Sequence, residues 1–432
     1  MTHAMLHRLA PWRTAPRWHV ALSGGLDSTV LLHQLATLAR TDTFPPLHAI
    51  HVHHGLQAAA DAWPQHCQRL CDALGVPLTV VRVQVAPGAS LEAAARSARY
   101  QAFEQALGAG EVLLTGQHRD DQAETLLFRL LRGAGVRGLA AMPEQRALGV
   151  GHLVRPLLHI SRTQLQAYAQ AHHLDWVDDP SNTDTRFARN YLRQDVMPLI
   201  TGRWPQAAQT LARAASHMAE AQGLLAELAE GDLRAAATPG AFPWLNVPSL
   251  ELAPLVALSD ARQRNALQHW LAGFTRLPDT QHWASWPDLR DAAPSATPVW
   301  ALGDGHLLRA GGRLWWLSEL WRAEPQGEVH WPMPAEPLDL PGNGQVRLCG
   351  LAPQGRVQVR YRQGGEVMHA PGRGRRDLKR LLNETGLPPF VRGRLPLLFV
   401  DGQLTAVANL PAIGGNGVDL HWLPPTNAQR LR

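Results

Sequence analysis

This sequence predicts an α/β protein: a doubly wound parallel sheet, then a helical domain, then a small α+β domain. Three observations carry that reading. Short β-branched runs alternate with helical patterns over the first two hundred residues, which is the βαβα order of a parallel sheet. A Gly-Gly turn, Ser23-Gly24-Gly25-Leu26-Asp27-Ser28, joins the first such run to the first helix. Beyond Pro205 the texture changes to Ala- and Leu-rich helix, and beyond a Pro-rich connection to short strands around one helix.

The predicted strands are Trp18–Leu22, Leu47–His53, Leu78–Val85 and Glu111–Thr115. The helices between them are Ser28–Ala39, Ala58–Leu74, Ser90–Leu107 and Asp120–Arg132. Residues 1–205 form the first domain on this reading, and 206–320 a second, mostly helical one. Pro325, Pro332, Pro334 and Pro337 mark a linker. The small domain, 338–432, has its helix at Arg375–Thr385. In parallel sheets ligands sit beyond the carboxyl ends of the strands. The Ser23–Ser28 loop, His53-His54-Gly55 and Thr115-Gly116-Gln117-His118 are therefore expected to share one cleft.

The loop itself predicts an anion pocket. Unpaired N–H groups converge at a helix N-terminus, where the dipole favours negative charge, and glycines let a phosphate approach the backbone. No Gly-Lys-Ser/Thr follows, so it is not a Walker loop.

Composition narrows the class. The 432 residues are 45% hydrophobic and 18% charged, and no apolar run is long enough to span a membrane. The first seventeen residues carry Arg8, Arg13 and Arg17 without an apolar stretch, so a cytoplasmic location is expected. Three cysteines with no CxxC pair suit a reducing compartment. The net charge of +5 is unevenly spread: Arg356–Arg394 holds ten basic against three acidic residues, an excess larger than that of the whole chain. Lys379, within it, is the chain's one lysine.

Asp120, Asp121 and Glu124 begin the helix after the fourth strand and project near one another. They answer the helix dipole as caps. Facing a triphosphate they also require a cation between, either Mg²⁺ or a substrate ammonium. Glu92, Arg96, Arg99 and Tyr100 share a helix, where the arginines suit phosphate or RNA. His48, His51, His53 and His54 lack metal-ligand spacing and suit a strand end lining an adenine pocket. The Gly-rich segment Arg132–Gly138 reads as a helix cap or a flap. Asp178–Asn182 reads as a turn, with Arg189, Asn190 and Arg193 beside it.

Taken in order, these motifs strongly resemble the tRNA(Ile)-lysidine synthase family of the PP-loop ATP pyrophosphatases. The matching stretches are SGGLDS, HVHHGL, EAAARSARY, residues 115–142, 155–170 and 178–200, and the carboxyl region 357–400. The resemblance implies a fold like that of the adenine nucleotide alpha hydrolases and an ATP-dependent ligase. It would join L-lysine to carbon 2 of the wobble cytidine of a CAU-anticodon isoleucine tRNA, through an adenylated tRNA, releasing AMP and pyrophosphate. ATP and pyrophosphate fall to Ser23, Gly24, Gly25, Leu26, Asp27, Ser28 and His53. Catalysis falls to Asp27, Asp120, Asp121 and Glu124. The last three receive lysine or Mg²⁺, and Asp27 with Asp121 is the expected metal pair. The tRNA falls to Arg96, Arg99, Arg189, Arg193, Arg373, Arg375, Arg376, Lys379 and Arg380. A tRNA thiolase of the same superfamily is the alternative, disfavoured because such enzymes use cysteine pairs absent here.

Overall fold

Trp18–Ala21 (β1) and Val112–Leu114 (β4) lie side by side in parallel at the centre of a six-stranded sheet, β4 wholly buried and β1 nearly so. The computed structural model describes residues 2–55, 58–85, 91–278, 282–293, 296–350, 353–370, 374–413 and 418–426. They divide into two compact units, 1–224 and 225–431.

The helices of the first unit include Thr2–Leu9 (α1), Leu26–Leu38 (α2), Trp63–Leu74 (α3), Leu91–Ala106 (α4), Arg119–Leu130 (α5), Val136–Leu139 (α6) and Arg162–Ala171 (α7), and the Ala- and Leu-rich helix expected after Pro205 is present as Ala207–Ala236. The remaining strands are Leu47–His53 (β2), Leu78–Arg82 (β3), Gln145–Leu148 (β5) and Gly151–Val154 (β6). The sheet order is β3-β2-β1-β4-β6-β5, parallel except for β5, which pairs antiparallel with β6. Alternate side chains of each strand serve opposite faces. Trp18, Val20, Ala49, Val112, Leu114 and Val154 pack with α2, α3 and α7. Ile50, Val52, Leu113 and Leu153 pack with Ala102 and Phe103 of α4 and with Leu107 just beyond it. Each fully buried aliphatic side chain of this kind stabilises the fold by ~1.5–3 kcal/mol.

The four strands and four helices expected from sequence are present, with ends shifted by a few residues. Two further elements leave little trace in the sequence. The β5–β6 hairpin is short and its first strand largely exposed, so it has little apolar pattern. The amino-terminal α1 is anchored by Met5 and Leu9, both fully buried, although its sequence is not strongly apolar.

The order of the sheet matters for function. From β1 the chain builds outward through β2 and β3, then returns to place β4 on the other side of β1. The crevice at the carboxyl ends of β1 and β4 is therefore the topological switch point.

In the second unit, helices Asp260–Leu271 and Ser285–Asp291 accompany an antiparallel sheet of Ser249–Glu251, Arg313–Ser318, Gly305–Ala310 and Val299–Leu302. The later part of 206–320, from Val299 to Ser318, is thus strand rather than helix. Trp300, Trp315 and Trp316 all lie on these strands and are buried by them, a role their Pro-broken surroundings hid. One apolar cluster runs from Leu245 through Trp321 to Trp422, so residues on both sides of the Pro-rich connection share a core. Arg394, 1% exposed, knots it: it donates to Asn343 Oδ1 and the Gly342 carbonyl and lies over the Trp321 ring.

The helix expected at Arg375–Thr385 begins at Leu378, because Asp377 caps it by accepting the Arg380 N–H at 3.2 Å. Arg375 and Arg376 belong instead to an exposed strand, Gly374–Asp377, paired with Val367–Ala370. Among the described residues no helix is long and apolar enough to cross a membrane.

Cys67 and Cys71 are fully buried under the Ser23–Ser28 loop and α2, whereas Cys349 is exposed. Burial pushes the Cys67 thiol up to about 12 and that of Cys71 to about 11. At mildly alkaline pH only Cys349 is expected to react rapidly with a disulfide reagent, the other two following after denaturant unfolding. Three thiols reacting at one rate in the native protein would contradict this placement.

Candidate active site at the switch point

The Ser23–Ser28 loop leaves β1 in an extended line and turns sharply at Gly24, the one residue of the loop with positive φ (+88°). A side chain there would be strained and would press on Cys67 Sγ, 3.3 Å from the position of a Cβ. Gly25, by contrast, has ordinary extended φ and caps α2. The serines brace the turn: Ser28 Oγ donates to the Gly25 carbonyl at 3.0 Å and accepts the Ser23 N–H at 3.2 Å. Thr29 N–H bonds the Gly25 carbonyl at 3.0 Å, and Val177 N–H bonds the Gly24 carbonyl at 2.9 Å. Beneath the loop, His51 donates Nδ1–H to the Leu22 carbonyl at 2.8 Å, so this histidine serves the loop's foundation. His53 is buried at the end of β2, with Nε2 3.2 Å from Asp61 Oδ1. His48 pairs with Thr79. Among the described residues no His, Cys, Asp and Glu group is arranged to hold a metal by itself.

The loop after β4 closes against this one. A Cβ on Gly116 would stand 3.0 Å from the Asp27 carbonyl carbon and 3.1 Å from Ser28 N, so a side chain there would press the two loops apart by a few tenths of an ångström. Two residues on, His118 is fully buried and caps α5: Nδ1 accepts the N–H groups of Asp120 and Asp121 at 3.2 and 3.4 Å. Asp121 Oδ2 accepts the His118 N–H at 3.1 Å, completing a capping box. Because Nδ1 is an acceptor, the ring proton sits on Nε2, 3.6 Å from Asp27 Oδ2 and 3.5 Å from Asp121 Oδ2.

Asp121 and Glu124 face two arginines. Arg193 Nε lies 2.7 Å from Glu124 Oε1, and its Nη2 lies 2.8 Å from Glu124 Oε2 and 2.7 Å from Asp121 Oδ1. Arg189 reaches the same two carboxylates at 3.4 and 3.2 Å. The arginines are four residues apart, and Arg193 sits in a π-helical turn, Leu192–Val196, of the kind often found at functional sites. Asn190 steadies the preceding turn by donating to the Ser181 and Asp184 carbonyls. Asp120 is different. It is a third exposed, Oδ2 accepts the Arg162 N–H at the start of α7, and Oδ1 accepts nothing among the described residues.

These contacts set the protonation states. Burial raises the Asp27 carboxyl above its ordinary value, and His118 only partly offsets it. Burial works against Asp121 as well, but His118, Arg189 and Arg193 outweigh it and hold the carboxyl low. Burial of His118 is outweighed by Asp121, Asp120 and Asp27, which raise its pKa. Asp27 Oδ1 is buried without a hydrogen-bond partner beside the loop, an oxygen suited to a hard cation. Asp121 does not share that fitness, since both its oxygens already accept from the chain.

Of the residues expected to bind RNA, Arg189 and Arg193 are thus committed to internal ion pairs. Arg96 and Arg99 lie on α4. Arg375, Arg376, Lys379 and Arg380 are exposed in the second unit, and Arg373 lies outside the described residues. The Gly-rich segment is an ordered cap: Gly133 takes positive φ, and Arg129 ties the Gly138 and Ala141 carbonyls. Sequence reasoning put Gly116 and His118 at the cleft but gave neither a role. The signal for one was local, a histidine at the N-cap of an acidic helix with a glycine just before it.

Replacing Arg193 by Ala leaves two buried carboxylates short of a counter-charge. We expect a loss of about 3 kcal/mol in urea unfolding, the low end for breaking a buried pair, because Arg189 remains. An unfolding curve unchanged from wild type would show the network to be energetically idle.

Comparison with known proteins identifies the family. Residues 1–200 match the PP-loop domain family, 250–315 the TilS substrate binding domain and 357–417 the TilS substrate C-terminal domain. The tRNA(Ile)-lysidine synthase of Pseudomonas putida is 64% identical over 423 residues, covering 98% of this chain and 99% of that one. That of Pseudomonas fluorescens is 61% identical, covering 99% and 98%. The enzyme of Escherichia coli O157:H7 is 42% identical, covering 93% and 95%. With relatives this similar over nearly its whole length, the chain belongs to the tRNA(Ile)-lysidine synthase family.

Proposed function

We propose that the switch-point crevice performs, in two steps, the ligation that defines the family: ATP-dependent attachment of L-lysine to carbon 2 of the wobble cytidine in CAU-anticodon isoleucine tRNA. The observation that carries this reading is the meeting of a phosphate-suited loop with a wall of carboxylates across one crevice. Carbon 2 of cytosine is urea-like, so its oxygen must first become a leaving group. Attack of that oxygen on the α-phosphate of ATP forms the adenylated tRNA and breaks the bond to pyrophosphate. The departing pyrophosphate is received by the N–H groups of Ser23–Ser28 and the positive end of α2. The lysine ε-amine then attacks carbon 2, and AMP leaves with the oxygen.

An amine of pKa ~10.4 arrives protonated and must lose a proton to act as nucleophile. Asp120 Oδ1 offers it a free acceptor, and Asp121 and Glu124 accept it by exchange with an arginine. Mg²⁺, when bound, would neutralise phosphate charge. Asp27 is the residue placed to hold it, the remaining ligands being phosphate oxygens and water. His118 keeps Asp27 and Asp121 apart in charge and orients both.

Arg96 and Arg99 contact the RNA near the crevice. Arg373, Arg375, Arg376, Lys379 and Arg380 hold the body of the tRNA through its phosphates, and the domain 338–432 that bears them acts in binding. The tRNA substrate implies work in the cytoplasm. Sulfur transfer is not favoured: the relatives are lysidine synthases, and two of the three cysteines are buried.

Purified protein given isoleucine tRNA, ATP, Mg²⁺ and labelled lysine should place label in the tRNA and release AMP. Label absent from the tRNA overturns the reading. Asp27→Asn is expected to lower kcat at least a hundredfold with tRNA affinity retained. Neutralising Arg375, Arg376 and Arg380 together should raise KM for tRNA and flatten its salt dependence by about one unit for each phosphate left without its cation. Unchanged tRNA affinity at moderate salt would remove that patch from the RNA interface.

A further inference from the structure

Among the described residues several arginines of the first unit have no carboxylate within ion-pair distance, and one group of them is gathered around a single tyrosine. Arg96, Arg99, Arg129, Arg146 and Arg155 form no ion pair among the described residues, and the charges that act on Arg99, Arg129 and Arg155 are other arginines and one tyrosine. Arg189 and Arg193, in the same unit, are fully paired, so the contrast is internal to the site.

Two of them lie over the ring of Tyr100, and the charges of Arg99 and Arg155 act on its phenol from nearby. Arg96 Cζ lies 4.9 Å from the ring centroid, and its Nη2 donates to the phenol oxygen at 3.3 Å. Arg146 Cζ lies 5.1 Å from the same centroid. Arg155 lies close enough for its charge to act on the phenol, and its Nη1 donates to the Pro143 carbonyl at 2.7 Å. Arg99, next along the helix, is close enough to Arg189 to be repelled by it. The base of the cluster is rigid, with Arg155 4% exposed, whereas Arg96 and Arg146 are exposed. Burial pushes the Tyr100 phenol up, but the four arginines outweigh it and hold it below its ordinary value.

Cation–π contact with one tyrosine does not neutralise four guanidinium groups. A cluster of like charges, partly desolvated, is tolerable when an anion from outside completes it. Its position says which anion. Arg155 directly follows β6, and Arg99 acts on His54 just beyond β2, so the cluster borders the carboxyl end of the sheet where the crevice opens. Planar guanidinium forks match phosphate oxygens, and several spread over one face suit successive charges along a strand better than one small anion.

We propose that Arg96, Arg99, Arg146 and Arg155, arrayed on Tyr100, form a phosphodiester subsite that grips the anticodon-loop backbone beside the reacting nucleotide and so directs its base into the crevice. This rests on the ligase reading above. The four are positioning residues: they touch the strand, not the reacting atoms.

Arg146 is the residue to change, being exposed and outside the loop–carboxylate centre. In the full-length enzyme Arg146→Ala should raise KM for tRNA several-fold, leave kcat and KM for ATP unchanged, and reduce the slope of log affinity against log salt by about one. Arg146→Lys, which keeps a charge, should restore most of the affinity. Fluorescence-detected tRNA binding without ATP or lysine reads the same effect independently of product formation. A failed subsite is thereby distinguished from a failed ligase, which would show as wild-type protein unable to label tRNA. An Arg96→Ala/Arg146→Ala protein that binds tRNA with wild-type affinity and salt slope overturns the proposal. So does a rise in KM for ATP, or in the inhibition constant of inorganic pyrophosphate, with tRNA binding unchanged, since the cluster would then serve free phosphates.

Discussion

Charge balance inside the crevice is the constraint on which the rest of the site depends. Asp121 and Glu124 are almost fully buried, and Asp27 stands across from them with one oxygen sealed from solvent. Carboxylates so placed would ordinarily take up protons or drive the loops apart. A histidine and two arginines prevent this. His118 sits between Asp27 and Asp121, and the Arg193 fork spans Asp121 and Glu124. The capping box at α5, the π-helical turn at Leu192–Val196 and the close approach at Gly116 all serve to hold these donor groups in place. Such a network is costly to desolvate, and its retention suits a site that exchanges one cation for another during a reaction.

The same balance explains why Asp120, Asp121 and Glu124 are not equivalent although they share one turn of helix. Asp121 and Glu124 point to the arginines and are satisfied. Asp120 points toward α7, takes one backbone N–H and keeps one oxygen free. Their difference arises from which neighbours the fold brings, since the residue types and the helix are the same. The wall is graded: one carboxylate with a free oxygen, then two whose oxygens are already taken by arginines.

Positive charge is divided by the same logic. The excess between Arg356 and Arg394 looks in sequence like one basic surface. In the fold Arg394 is a buried knot under Trp321, and Arg360 pairs with Glu328, while Arg375, Arg376, Lys379 and Arg380 remain exposed. In the first unit the arrangement is reversed. Arg189 and Arg193, which look free beside the Asp178–Asn182 turn, are paired, whereas among the described residues the arginines around Tyr100 have no carboxylate partner. Net charge counts every arginine alike, but pairing decides which of them stay open to a ligand.

What the sequence determined by itself is what depends on neighbours along the chain. The Ser23–Ser28 loop, its serines and Gly24, the acidic start of α5 and the βα alternation of the first two hundred residues are all set by interactions a few residues apart. For that reason the parallel sheet and the phosphate-suited loop were legible. Tertiary structure decided whatever depends on residues distant in sequence. Arg193 meets Glu124 across 69 residues, Gly116 meets Asp27 only because β4 lies beside β1, and Arg146 reaches Tyr100 from a hairpin that showed no pattern of its own. Electrostatic pairing and close backbone approach act through space, and a chain read in order contains no measure of that distance until the strands are placed.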